Sequence, residues 1–193
     1  MRDAILRKAQ ESARVKLQFF EDNASAIELC VDALAERFEA GGRLFTAGNG
    51  GSSCDAQHVA VEFQHPIIEK RRALPAQALT VDTATLSAIA NDTDFSQIFI
   101  RQLEVLARSE DALLGVSSSG ASANVNRALR WAREKGLLTI GFSGRDGGPM
   151  AALCEHSFVV RTWSIHRVQE TQTTLLHLLW DQVHVKLGEN DVL

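Results

Sequence analysis

The chain has 193 residues, of which 45% are hydrophobic and 23% are charged, enough for one well-buried domain but few for two. Its formal net charge of -4 gives no basic footprint for nucleic acid or for an anionic membrane. No apolar run approaches the roughly 18 residues of a membrane span, and the charged N-terminus does not resemble a signal peptide. These features predict a cytoplasmic protein without a nucleic-acid or membrane partner.

Helical periodicity dominates the first forty residues. Apolar residues recur at helical spacing over residues 4–20, and Asn23 is a candidate N-cap for a second helix that ends near Phe38. A Gly-Gly pair follows as a stop signal. We expect this N-terminal helical segment, residues 1–40, to pack on the rest of a single domain that spans residues 1–193.

Short apolar runs bounded by glycine or serine then alternate with helical segments. Such runs are typical of fully buried parallel strands, and their alternation with helices predicts a parallel sheet covered on both faces. Five strands are expected, at residues 43–48, 75–81, 111–120, 137–144 and 156–162. Helices are expected near residues 83–90, 95–108, 122–135, 148–154 and 166–187. The predicted fold is an α/β three-layer sandwich, whose ligands bind at the carboxyl ends of the strands.

Three cysteines, Cys30, Cys54 and Cys154, are odd in number and lack the close spacing of metal-binding motifs. We expect them to be reduced thiols, with Cys54 in a packing role. The charged run at residues 69–72 is too short to form a basic patch, and we expect a solvated segment there.

Polar loops follow the first and third predicted strands. The stretch AGNGGSSCDAQHVAVEF (47–63) leaves its strand through the glycine loop (residues 48–51), and the third strand ends in SSSGAS, the serine loop (residues 117–122). Unpaired N–H groups and the dipole of the following helix, beside four hydroxyls, predict an anion site, most naturally for a phosphate monoester. The alternative is that Ser122 is only an N-cap. Neither loop has the dinucleotide or Walker A spacing, so a phosphorylated small molecule fits better than a nucleotide.

His58 and Glu62 are four residues apart on a predicted helix and therefore share one face. Both could bind one divalent metal such as Zn²⁺, although most such pairs are solvated surface pairs. Gln169 and His177 lie two turns apart on the last helix, about 12 Å along its axis, and could reach one point only with extended side chains. His177 could also be a core histidine.

Five stretches of the chain carry a family resemblance. AGNGGSSCDAQHVAVEF, LPAQALTVDTATLSAIANDTDF, LLGVSSSGASANV, FSGRDGG and RVQETQTTLLH resemble the phosphoheptose isomerases, which are SIS (sugar isomerase) domain proteins that convert sedoheptulose 7-phosphate to glycero-manno-heptose 7-phosphate. The resemblance runs from about residue 40 to residue 185. It implies a flavodoxin-like SIS fold, a cytoplasmic aldose–ketose isomerase with an enediol intermediate, one Zn²⁺ per subunit, and a homotetramer in which residues 1–40 also pack.

The resemblance also implies a role for each matching residue. Isomerisation needs a base and an acid, and these roles fall to Glu62 and His177 respectively. The implied zinc ligands are His58, Glu62, Gln169 and His177. The implied substrate contacts are Asn49, Gly50, Gly51, Glu62, Asn91, Asp92, Ser117, Ser118, Ser119, Ser122 and Gln169.

Three positions depart from the family pattern. Ala121 stands where the family has asparagine, Pro66 where it often has arginine, and His166 where it commonly has aspartate. These departures leave open an isomerase of another ketose phosphate. A further alternative is a non-catalytic SIS-domain protein that binds a phosphosugar or a replication initiator, but such relatives lack the pair that is His58 and Glu62 here.

Overall fold

The computed structural model describes residues 1–67 and 71–191. Its helices are α1 (Arg2–Glu39), α2 (Gly51–Gln64), α3 (Thr83–Asp92), α4 (Ile100–Leu106), α5 (Ala123–Glu134) and α6 (Ile165–Lys186). Its strands are β1 (Leu44–Gly48), β2 (Ala76–Ala78), β3 (Ala112–Ser117), β4 (Leu138–Gly144) and β5 (His156–Val160). Short 3-10 helices occupy Phe95–Gln97 and Pro149–Ala152. All five predicted strands are therefore present.

The strands form one parallel sheet in the order β2-β1-β3-β4-β5, which confirms the predicted three-layer, flavodoxin-like architecture. Every residue of β1, β3 and β4 is buried, because helices cover both faces of the sheet. Strand order reverses between β1 and β3, where ligands of this architecture bind. Gly48 at the end of β1 pairs with Val116 of β3, so the glycine loop and the serine loop leave the sheet side by side.

Two hydrophobic clusters fill the space between the layers. On one face α1, α2 and α6 cover the sheet, with Phe63 and Leu179 among their buried side chains. On the other face α4 and α5 cover it, with Leu103 and Leu129 among theirs. Helices that alternate with parallel strands fall on both faces because each crossover is right-handed.

The N-terminal segment differs from the prediction of two helices. It is one helix of 38 residues, and Asn23 lies inside it, where its side-chain amide donates to the Phe19 carbonyl oxygen at 2.7 Å. Asn23 is thus not an N-cap, and burial of Ile27 and Leu34 against the rest of the chain carries the helix through this point. Within residues 1–67 and 71–191, none of the helices combines the length and apolar character needed to cross a membrane.

Helices α2 and α6 pack side by side and run in the same direction. A β-carbon placed on Gly51 would lie 2.6 Å from the Gln169 side chain, and the rings of Phe63 and His184 lie 6.2 Å apart. The beginning of α2 thus contacts the beginning of α6, and the end of α2 contacts the end of α6. Residues half-way along α2 consequently face residues half-way along α6.

The charged run at residues 69–72 is not a solvated segment at Arg71. Only 2% of the Arg71 side chain is exposed, and its guanidinium lies 4.7 Å from the ring centre of Trp180 in α6. Arg72 does remain exposed, with 53% of its side chain accessible. The prediction for Glu69 and Lys70 lies outside the described residues.

Candidate active site

The glycine loop makes a tight passage from β1 into α2. Gly48 allows this turn because a β-carbon there would lie 2.2 Å from the Ser52 carbonyl oxygen. Gly50 has a φ of 55°, a left-handed conformation that favours glycine, and it is the N-cap residue of α2. The first N–H groups of a helix have no partner within it. Here the Ser52 and Ser53 N–H groups already donate to the carbonyl oxygens of Asn49 and Gly50, so the loop closes on itself beside the carboxyl end of the sheet.

Half-way along α2 and α6, three side chains converge on one point. His58 Nε2 lies 3.1 Å from Glu62 Oε1, and His177 Nε2 lies 3.3 Å from His58 Nε2 and 3.9 Å from Glu62 Oε1. His177 is not a core histidine, since 44% of its side chain is exposed. The parallel packing of the two helices thus joins residues that are more than a hundred positions apart in the chain.

The electrostatics of this cluster favour the neutral imidazole of His177. Burial lowers the pKa of His177 below its usual 6.5, the neighbouring His58 lowers it further, and the Glu62 carboxylate partly opposes these effects. Two Nε2 atoms at 3.3 Å cannot both carry a proton without repulsion. At least one of the two Nε2 atoms therefore presents a lone pair to the other groups of the cluster.

This donor set fits a divalent metal ion. Imidazole nitrogen and carboxylate oxygen are both ligands of Zn²⁺, and bonds of about 2.0–2.1 Å in a tetrahedral site place ligand atoms about 3.3 Å apart. The ligand atoms of His58, Glu62 and His177 all lie within 4.8 Å of one another, and together they form a candidate metal site.

Gln169 faces the glycine loop, two turns before His177 on α6. Its amide nitrogen lies 2.6 Å from the position that a β-carbon on Gly51 would occupy. The structure therefore places the Gln169 side chain against Gly51, the first residue of α2. Its part as a metal ligand and as a substrate contact stays a prediction.

The serine loop is compact and internally bonded. Ser117, which is 3% exposed, shares a hydrogen bond of 2.9 Å between its hydroxyl and that of Ser122. Ser119 Oγ accepts a bond of 3.2 Å from the Ala121 N–H, and Ser118 is half-buried beside it. Ser122 is the N-cap residue of α5, yet its side chain makes no capping bond. Ser122 thus has the predicted N-cap position without a capping bond, and four hydroxyls are grouped at a helix N-terminus. The anion site stays a prediction.

Asn91 and Asp92 stand apart from this arrangement. They are the last two residues of α3, both are exposed, and the Asn91 amide donates to the Asp92 carboxylate at 2.7 Å. In the described ranges, no hydrogen bond joins either side chain to another predicted site residue. Their role as substrate contacts stays a prediction.

Two asparagines of α5 bond to the loops and were not singled out from the sequence. Asn124 exchanges two hydrogen bonds with Asn49 of the glycine loop, and Asn126 donates to the Gly120 carbonyl oxygen of the serine loop at 3.0 Å. Both are buried. Polar side chains in the first turn of a helix that follows a polar loop are the sequence signal that could have found them.

Cys54 does not have the predicted packing role. It is exposed on α2, one turn before His58, and its thiol lies 3.8 Å from the Gly50 carbonyl oxygen. Of the departures from the family pattern, Ala121 and His166 are exposed and Pro66 is half-buried. The changed positions therefore lie on accessible surface.

Comparisons with known proteins agree with this architecture. The family model described as SIS domain matches residues 9–144. The chain is 46% identical over 188 residues to the phosphoheptose isomerase of Desulfovibrio desulfuricans, an alignment that covers 97% of this chain and 90% of that one. The sheet, the loops at its switch point and the family match define a SIS-domain protein.

Solved structures extend the comparison. The phosphoheptose isomerase of Neisseria gonorrhoeae superposes with a TM-score of 0.87 at 33% identity, covering 94% of this chain and 97% of that one. The phosphoheptose isomerase of Francisella tularensis gives a TM-score of 0.89 at 30% identity, with 95% and 97% covered. The chain belongs to the phosphoheptose isomerase family of SIS-domain proteins and is an isomerase.

Proposed function

We propose that the chain converts D-sedoheptulose 7-phosphate to D-glycero-D-manno-heptose 7-phosphate through an enediol intermediate. The observation that carries this proposal is the convergence of His58, Glu62 and His177 beside the glycine loop, in a chain of this family. Aldose–ketose isomerisation moves a proton between neighbouring carbons, so it needs a base at carbon and an acid at oxygen.

Within this proposal Glu62 takes the carbon-bound proton and His177 serves the oxygens of the substrate. The lowered pKa of His177 favours its neutral imidazole, which can take a proton from one substrate oxygen and return it to the other. The contact of 3.1 Å between Glu62 Oε1 and His58 Nε2 also restrains the orientation of the carboxylate.

The phosphate of the substrate is assigned to the serine loop. Ser117, Ser118, Ser119 and Ser122 supply hydroxyls, and the N-terminus of α5 supplies backbone donors and a favourable dipole. Asn49, Gly50, Gly51 and Gln169 face the sugar, and Asn91 and Asp92 complete the assigned contacts. Anchoring the phosphate at one loop positions the carbonyl carbon at the other end of the sugar.

The metal of the proposed site is one Zn²⁺ per subunit, held by His58, Glu62, Gln169 and His177. When bound, such an ion polarises the carbonyl and stabilises negative charge on oxygen. The donor separations described above support a divalent ion.

We place the active form in the cytoplasm as a homotetramer. Free thiols at all three cysteines support a reducing compartment. Exposed apolar side chains along α1, at Ile5, Leu6, Leu17 and Leu29, support burial of that helix between subunits.

The test is turnover of a substrate panel. Purified protein is incubated with sedoheptulose 7-phosphate and with pentulose and hexulose phosphates, before and after treatment with a chelator, and aldose formation is measured. We expect turnover of the heptulose phosphate, its loss on chelation and its recovery with Zn²⁺. Absence of turnover with metal-replete protein would refute the proposed reaction. Faster turnover of a pentulose or hexulose phosphate would show that the substrate is that sugar phosphate and not the heptulose phosphate.

A further inference from the structure

A reciprocal pair of amides joins the two loops of the site. Asn49 Nδ2 donates to Asn124 Oδ1 and Asn124 Nδ2 donates to Asn49 Oδ1, each at 2.8 Å. The Val125 N–H donates to Asn124 Oδ1 at 2.9 Å, so the oxygen of that amide has a defined direction. Asn124 is 3% exposed. A buried amide with its donor and acceptor both engaged is held in a single orientation.

The pair spans the switch point of the sheet. Asn49 directly follows β1, whose last residue pairs with Val116, one position before the serine loop. Asn124 lies in the first turn of α5, immediately after that loop. Two residues further on, Asn126 donates to the Gly120 carbonyl oxygen at 3.0 Å. The first turn of α5 therefore forms hydrogen bonds to both loops, through Asn124 to the glycine loop and through Asn126 to the serine loop.

We infer that Asn124 is a positioning residue that fixes the distance between the sugar-binding and phosphate-binding loops through Asn49. Asn124 itself touches no substrate. Its bonds use the Asn49 oxygen and one Asn49 amide hydrogen, which leaves the second hydrogen for a substrate hydroxyl. This inference rests on the proposed function, because it takes the two loops as the two ends of one sugar phosphate site.

The consequence is specific to ligands that reach both loops. A sugar phosphate gains rate and affinity from correct spacing, whereas inorganic phosphate needs the serine loop alone. Loss of the amide pair should therefore affect the two ligands differently. A general loosening of the fold would weaken both.

The test is Asn124→Ala, which removes both amide bonds to Asn49 and the acceptor for the Val125 N–H. For Asn124→Ala we expect kcat/KM for sedoheptulose 7-phosphate to fall about 10- to 100-fold, with the inhibition constant of inorganic phosphate unchanged within about twofold. The double variant Asn49→Ala/Asn124→Ala should have the same kcat/KM as Asn49→Ala alone, because Asn49→Ala already removes the amide pair.

Gln102→Ala is the matched control. Gln102 is a buried amide that also makes two hydrogen bonds, to the carbonyl oxygens of Leu79 and Ile98, but it lies in α4 away from the loops. It should lower the melting temperature and leave kcat/KM unchanged. The inference is overturned if Asn124→Ala keeps kcat/KM within twofold, weakens phosphate equally, or loses no more activity than Gln102→Ala.

Failure of the proposed function gives a different result. Wild-type protein would then turn over no heptulose phosphate, and calorimetric titration with sedoheptulose 7-phosphate and with inorganic phosphate would replace kinetics. If Asn124→Ala binds the sugar phosphate more weakly than wild type does but binds inorganic phosphate equally well, the positioning role is still supported. Equal affinities of wild type and variant for both ligands would refute it.

Discussion

Arg71 Nη2 lies 2.6 Å from Asp181 Oδ1, with 2% of each side chain exposed. This buried ion pair ties the segment that follows α2 to α6, one turn beyond His177. Arg71 also donates to the Asn190 carbonyl oxygen at 2.7 Å, so the same guanidinium holds the residues that follow α6. The pair therefore holds the segment around Arg71 against α6, the helix that carries His177.

Asp181→Ala should strongly destabilise the fold, because it removes the nearest carboxylate from the buried Arg71 guanidinium and leaves Glu189 at 3.9 Å from its Nε. We expect a loss of about 3–5 kcal/mol in the free energy of unfolding, measured by denaturant titration. The control is Glu104→Ala, which breaks the exposed pair with Arg101 and should change that free energy by less than about 1 kcal/mol. Equal effects of the two substitutions would contradict a structural role for the buried pair.

His184 makes stability depend on pH. It is fully buried, and within the described part of the chain neither ring nitrogen has a hydrogen-bond partner. Burial lowers the pKa of His184 below 6.5; Arg71 and Arg72 lower that pKa too, while Glu189 and Asp181 oppose the shift. As the pH falls, the unfolded chain binds a proton at this histidine before the folded chain does. The contribution of the neutral His184 to the free energy of unfolding is therefore complete above about pH 6.5 and is lost as the pH falls toward the folded pKa.

We therefore expect the melting temperature of metal-free protein to fall between pH 7.5 and pH 5.5, and to fall less steeply in His184→Gln. The comparison of the two proteins removes the contribution of other histidines that titrate in this range. Parallel pH profiles for wild type and variant would show that His184 does not contribute.

Native labelling should distinguish one thiol from the other two. Cys54 is exposed, whereas burial raises the pKa of Cys154 to about 12 and raises that of Cys30 even further. An aromatic disulfide reagent should react quickly with one thiol per chain and with all three only after unfolding. Cys54→Ser should remove the fast reaction, and a fast reaction that survives in Cys54→Ser would contradict the assignment.

The sheet could be predicted from the sequence because buried parallel strands are continuous apolar runs with clear ends. The runs at β1, β3 and β4 have this form, and all of their residues are buried. The single helix α1 could not be read with the same certainty. Asn23 has the chemistry of a cap, but tertiary packing of the flanking apolar residues outweighs that local preference.

The candidate site could be predicted only in part, since its parts meet through helix packing. His58 and Glu62 share a helix face by spacing alone, but the approach of His177 depends on the parallel alignment of α2 and α6. Arg71 shows the same limit, because a charged run gives no sign that one of its members enters the interior beside Trp180. Asn124 was missed because its partner, Asn49, is 75 residues away.

Glu62→Gln tests the proposed base. The substitution keeps the shape of the side chain but removes its ability to take a proton, so kcat should fall at least about 100-fold. The proposed ligands His58 and His177 are kept, so bound metal should be retained in part, whereas His58→Ala should lose more of it. Gln57→Ala, on the exposed face of α2, should keep wild-type kcat. Full activity of Glu62→Gln would exclude Glu62 as the base.

Gly51→Ala tests whether Gln169 acts in the site from its place against the glycine loop. The added β-carbon would meet Gln169 Nε2 at 2.6 Å, and because this is the end of a flexible side chain, the amide should move while the fold remains intact. We expect kcat/KM for the sugar phosphate to fall about 10-fold or more with little change in melting temperature. Gly120→Ala should by contrast lower the melting temperature. Its β-carbon would lie 2.0 Å from the Gly147 carbonyl oxygen, and a backbone atom moves less easily than the end of a side chain.

The decisive comparison for Gly51 is the double variant Gly51→Ala/Gln169→Ala. Removing the Gln169 amide relieves the clash, so the double variant should be no less active than Gln169→Ala alone. Additive losses would show instead that the methyl group at position 51 disturbs the backbone donors of the glycine loop. Unchanged activity in both Gly51→Ala and Gln169→Ala would remove Gln169 from the proposed site.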